Sequence, residues 1–130
     1  MVKYTRKFHC GVFYEKNRVF TENGSQKGRS EDKVERIGII DLGSNTARLV
    51  IVDLFAEGHF MVTDQLKESV RLGQDMDRDG FLKPQRVAET IRALKMFKRL
   101  CDASGVSRII AVATAAVRRA KNQRSFLDEI

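Results

Sequence analysis

The 130-residue chain has two cysteines, one proline and no uninterrupted apolar stretch of membrane length. Each scarcity excludes something. A membrane-spanning helix needs about 20 consecutive apolar residues, and no run approaches that. A secretory leader needs a continuous apolar segment behind its basic start; here the N-terminal apolar positions are scattered among polar ones. Cys10 and Cys101 lie far apart, in neither a metal-binding nor a redox spacing, and read as reduced thiols of a cytoplasmic protein. The basic N-terminal arm has no aromatics interleaved on a clear platform, which argues against a nucleic-acid interface.

What remains is a globular composition, 42% hydrophobic and 32% charged, long enough for one domain with a modest core. The formal charge is +7. Residues 1–36 carry nine Lys and Arg against five Asp and Glu, and residues 37–130 carry fifteen against twelve. The excess is spread along the chain, with its largest share in the arm. It favours anionic partners such as phosphate chains or nucleotides, and it serves solubility equally well.

Scattered apolar positions in residues 1–20 allow a short hairpin, whereas TENGSQKGRSEDKVER (21–36) reads as polar linker. Residues 1–35 are therefore an extension, and the domain proper covers 36–130. Residues 36–41 and 46–55 read as buried strands joined by a turn short enough to make them antiparallel. Glu57 and Gly58 mark the next turn, and the segment from Phe60 alternates as a third strand, completing a meander. GQDMDRDGFL places Asp75, Asp77 and Asp79 like a calcium loop, but Arg86 stands where the closing glutamate belongs, so it reads as a solvated loop. A helix opens at Pro84, buries Val87, Ile91, Leu94, Phe97 and Cys101 on one stripe, and ends at Gly105. RIIAVATAAV then reads as a buried strand in a parallel position after a crossover helix. A helical segment with a break near Asn122 follows, its partial apolar face supplied by Phe126, Leu127 and Ile130.

Two segments carry chemistry. The turn Asp41-Leu42-Gly43-Ser44-Asn45-Thr46 can aim backbone N–H groups at one point, with Ser44, Asn45 and Thr46 adding side-chain donors. Such a concave donor set takes phosphate, Gly43 permits close approach, and Asp41 is placed to hold a metal-bound water. The same residues also make an ordinary hairpin turn, so local chemistry leaves both readings open. In VATAAVRRAKN, Thr114 ends the fourth strand, where open α/β sheets bind ligands. Arg118 follows one turn later, and Asn122 at i+4 is expected to share its face. Arg119 points elsewhere. Lys67 and Arg71 flank the end of the third strand.

Taken together, GIIDLGSNTARLVIVD, KESVRLGQDM with GFL, and IIAVATAAVRRAKNQRSFL resemble the N-terminal portion of the Ppx/GppA family. These are exopolyphosphatases and guanosine pentaphosphate (pppGpp) phosphohydrolases within the actin and hexokinase superfamily. The resemblance covers residues 36–130 in order. It implies an α/β, ribonuclease H-like half-domain of three meander strands followed by helix, strand and helix. It implies Mg2+-dependent removal of a terminal phosphate from polyphosphate or pppGpp, by a protein that dimerises when full length. It also implies that Gly43, Ser44, Asn45 and Thr46 form the first phosphate loop, with Arg71, Thr114, Arg118 and Asn122 lining or supporting the site.

The family's second phosphate loop and its catalytic glutamate are expected beyond Ile130. The catalytic residues are therefore not assigned, and the chain alone is expected to be inactive and prone to aggregate. A noncatalytic polyanion-binding module is the competing expectation. Sugar kinases and actin-like ATPases also carry an early D-x-G loop, but ATAAVRRAKN speaks against them.

Overall fold

Apolar, mostly buried residues along β-forming segments build the centre of the sheet. The computed structural model describes the backbone of residues 6–9 and 12–16, and residues 34–76 and 80–130 in full. Two short strands, β1 (Arg6–His9) and β2 (Val12–Lys16), form the hairpin allowed by the arm's sequence. The linker assigned to 21–36 lies outside the described residues up to position 33. Strands β3 (Glu35–Leu42), β4 (Thr46–Leu54) and β5 (Phe60–Ser69) form the expected antiparallel meander. Helix α1 (Pro84–Ala103) returns the chain to β6 (Arg108–Ala113), which pairs parallel to β3. Two short helices follow, α2 (Ala115–Arg119) and α3 (Gln123–Glu129).

The strand order is β1-β2-β6-β3-β4-β5. The four strands β6-β3-β4-β5, with α1 crossing over from β5 to β6, have the ribonuclease H-like arrangement expected from the sequence. The arm adds to it, because β2 pairs antiparallel with the far side of β6.

One face of the sheet is packed on α1. Ile40, Leu42, Ala47, Leu49 and Ile51 bury against Ile91, Ala93, Phe97 and Cys101, and Val70, Leu72, Leu82, Val117 and Phe126 close the end of that core. On α1 the buried face runs through Thr90 and Ala93, while Val87 and Leu94 are only half-buried. The hydroxyl of Thr90 is satisfied within the helix, donating to the Arg86 carbonyl at 2.8 Å. The apolar face expected on α3 is carried unevenly: Phe126 is buried and Leu127 packs half-buried against the core, but Ile130 stands just past the helix as an exposed apolar residue. At the open edge, β5 exposes Phe60, Met61 and Val62. Among the described residues no helix is long and apolar enough to cross a membrane.

Candidate functional site

The turn between β3 and β4 is short because Gly43 donates its N–H to the Thr46 carbonyl at 2.9 Å, leaving Ser44 and Asn45 at an exposed tip. Three carbonyls around this tip are turned into the protein. That of Leu42 accepts the Thr114 N–H at 3.0 Å and the Thr114 hydroxyl at 3.2 Å. That of Ser44 accepts the Gly73 N–H at 2.8 Å, and that of Asn45 accepts the N–H groups of Val70 and Arg71 at 3.0 and 2.9 Å. A trans peptide is planar, with C=O and the following N–H pointing in opposite directions. Anchoring the Ser44 carbonyl inward therefore turns the Asn45 N–H outward. Bonding by distant segments thus presents donors at the tip, whereas the Gly43 N–H is spent within the turn.

Around the tip, Asp41 is exposed at the end of β3. Arg71 is exposed in the loop after β5 and holds a left-handed backbone with φ 47°, a region that ordinary residues rarely adopt. Arg118 is exposed on α2. The side chains of Asp41, Ser44, Asn45, Arg71 and Arg118 make no hydrogen bond or ion pair with any described residue.

Thr114 and Asn122 are placed differently. The Thr114 hydroxyl is committed to Leu42, so it supports the turn. Asn122 does not continue the helix of Arg118. Helix α2 ends at Arg119, and Ala120 is extended at ψ 131°, so the expected i, i+4 pairing fails. The Asn122 amide instead grips the backbone of Leu82, accepting its N–H at 2.9 Å and donating to its carbonyl at 3.1 Å. Arg119 also behaves as a different residue from Arg118, since its Nε donates to the Ala115 carbonyl at 3.4 Å. Ile130, beyond which the catalytic glutamate is expected, bears no acid, base or donor in its side chain and marks a position on the chain rather than a member of the site.

The strand register brings in a residue that sequence reasoning passed over. Arg48 lies directly opposite Asp41, and Lys67 directly opposite Arg48. Residues paired this way share a face, and all three are exposed. The signal was present in the sequence, because a two-residue tip at Ser44 and Asn45 fixes Asp41 against Arg48. In the acidic loop, Asp75 lies 3.8 Å from Arg86, while Asp77 and Asp79 fall outside the described residues. A shallow cleft between β5 and α1, lined by Glu68, Glu89, Arg92 and Met96 among others, takes in none of the candidate residues.

A family model described as the Ppx/GppA phosphatase family matches residues 50–130. Exopolyphosphatase 1 of Mycobacterium tuberculosis is 32% identical over 95 residues, covering 73% of this chain and 28% of that protein. Among solved structures, an Aquifex aeolicus member of the Ppx/GppA family gives a TM-score of 0.69 at 38% identity, over 74% of this chain and 31% of that one. An exopolyphosphatase from Cytophaga hutchinsonii gives 0.68 at 32% identity, over 72% and 30%. The chain thus spans less than a third of the length of each of these three proteins.

Proposed function

Because this chain belongs to the Ppx/GppA phosphatase family, we propose that it forms the first phosphate-gripping wall of a hydrolase that removes terminal phosphate from inorganic polyphosphate, with pppGpp as the other substrate of the same chemistry. The observation that carries this reading is the turn 43–46. The Ser44 and Asn45 carbonyls are held inward, which turns the Asn45 N–H outward, and the exposed guanidinium groups of Arg71 and Arg118 are uncommitted on the elements bonded to this turn. Ser44 and Asn45 would orient the terminal phosphate, and planar guanidinium forks suit its oxygens. Arg48 and Lys67 carry positive charge away from the turn along one face of the sheet, as a chain of phosphates would require.

Magnesium fits the same residues. It binds through one or two carboxylates plus substrate phosphates and keeps several waters. Asp41 is one exposed carboxylate beside an anion cradle, and the described residues contain no cluster of acids, histidines or cysteines that would make an all-protein cage. When bound, the ion supplies charge neutralisation at the transferring phosphate. Activating water takes a base within hydrogen-bond reach. Asp41, holding the metal, is not available for that task, and no other candidate site residue is a carboxylate or histidine, so this reading is of polyphosphate binding without hydrolysis. A cytoplasmic location belongs to this reading, in keeping with cysteine positions that match no metal or redox spacing.

The test is an amide NMR titration of the chain with tripolyphosphate at low salt, with and without Mg2+. The expected shifts fall on Ser44, Asn45, Arg71 and Arg118, grow with Mg2+, and come without release of inorganic phosphate. Shifts confined to other residues would reject the site. Phosphate release by the pure chain would reject the assignment of binding without turnover.

A further inference from the structure

Gly73 is where three segments meet. Its N–H bonds the Ser44 carbonyl at 2.8 Å. A Cβ added to it would stand 2.9 Å from the Ser44 Cβ, 3.6 Å from the Ser44 Cα and 3.3 Å from the Ala116 Cβ. An ordinary carbon–carbon contact is about 3.5–4.0 Å. The colliding atoms are not the ends of flexible side chains: each Cβ is fixed to its own backbone, and Ala116 is buried on α2. A side chain at this position therefore moves the backbone of the turn by about half an ångström and presses α2 by a few tenths.

The rest of the loop holds the same geometry. Val70 and Arg71 both donate to the Asn45 carbonyl, and the Gln74 N–H bonds back to the Arg71 carbonyl at 2.9 Å. The loop is thus fastened to the turn at Ser44 and Asn45, and closed on itself around the left-handed Arg71. Its thinnest point passes between the turn and α2.

We propose that Gly73 is a positioning residue for phosphate binding, its missing side chain setting the distance between the Ser44–Asn45 tip and the helix that carries Arg118. The proposal rests on the reading of that tip as a phosphate site. A substitution here separates donors that must act on one phosphate, while leaving each of them chemically intact.

The experiment is calorimetric titration of tripolyphosphate into four forms of the chain: wild type, Gly73→Ala, Ser44→Gly, and the double variant, with thermal midpoints recorded for each. Gly73→Ala is expected to weaken binding about tenfold, within the range that an ångström of misplacement costs. In the Ser44→Gly background, where the nearest colliding Cβ is gone, the same change is expected to cost less than about twofold, the two sites being coupled through their contact. A merely structural role would lower the midpoint, less so in the Ser44→Gly background, while leaving the affinity of the folded chain unchanged in both. Equal losses of affinity in the two backgrounds, or none in either, would overturn the role of Gly73 while leaving the site standing. A wild-type chain that does not bind would overturn the site reading itself, and the proposal with it. Should Gly73→Ala not fold, the double variant carries the test: it must fold and bind like Ser44→Gly alone, and its failure to do so overturns the proposal.

Discussion

Asn122 holds Leu82 at both ends of its backbone, accepting the N–H at 2.9 Å and donating to the carbonyl at 3.1 Å. Together with the Lys121 N–H on the Gly80 carbonyl at 2.9 Å, this ties the segment entering α1 to the link between α2 and α3. Each such bond contributes about 1 kcal/mol. Asn122→Ala should therefore lower the unfolding free energy by about 2 kcal/mol in urea denaturation, and Asn122→Asp, which keeps only the acceptor, by less. Tripolyphosphate affinity should change much less than with Arg118→Ala. A large loss of affinity at unchanged stability would restore Asn122 to the phosphate site.

Arg118 and Arg119 are neighbours with different fates. Arg119 is turned onto its own helix, whereas the Arg118 guanidinium is unengaged among the described residues. A hydrogen bond to a charged group is worth about 1.5–3 kcal/mol, so Arg118→Ala should weaken tripolyphosphate binding by about 10- to 100-fold. Arg119→Ala should change it by less than about threefold. Equal losses in calorimetric titration would contradict the placement of these two side chains.

Acid should unfasten the base of the sheet. Arg36 makes a forked pair with Asp53, Nε to Oδ1 at 2.6 Å and Nη2 to Oδ2 at 2.7 Å, and its Nη1 caps the Ser104 carbonyl at 3.0 Å. Those hydrogen bonds hold the Asp53 carboxyl below the usual carboxylate range, with partial burial opposing them. A carboxyl whose folded-state pKa is depressed adds stability above its unfolded pKa, about 3.9, and loses it as pH falls through the folded one. Glu89, held down by Arg86, acts in the same direction. Thermal midpoints should fall as pH drops below about 4. Asp53→Asn should be less stable at neutral pH and show a shallower acid slope; an unchanged slope would place the linkage elsewhere.

Gly38 lies under α1, and a Cβ there would meet the Cys101 Sγ at 2.9 Å. Cys101 is 1% exposed in the core, with no space to retreat. Gly38→Ala should destabilise by about 1–3 kcal/mol through overpacking. Adding Cys101→Ala should recover part of that loss, a non-additivity readable in denaturant midpoints.

The strands were legible because short β-forming apolar runs are set off by polar and Gly-bearing turns, and α1 because Pro84 and Gly105 bracket a 3.6-residue stripe. The break expected near Asn122 is there, but its place ahead of Asn122, at Ala120, was not legible. Alanine is the best helix former, and no glycine or proline interrupts the run. The chain leaves the helix because Ala120 is buried and because Lys121 and Asn122 bond to Gly80 and Leu82, some 40 residues earlier. Tertiary bonding of that kind leaves no periodic trace. Likewise, the turn 43–46 was visible as a polar interruption between apolar strands, but its brace was not. That brace depends on Gly73 passing close to Ser44 and Ala116, a distance that no local pattern encodes. Arg48 was available from the register and was missed because it reads as one polar step in an alternating strand.

The bond from Thr114 to Leu42 spans 72 positions of sequence. The turn itself forms locally, as hairpins do within microseconds, but its inward anchors come from residues 70–73 and from Thr114. Long closures are entropically expensive and slow to be rewarded. The final geometry of the tip therefore waits on long-range contacts. In a growing chain the turn's own residues come well before its anchors, the last of which arrives with the end of β6 beside β3.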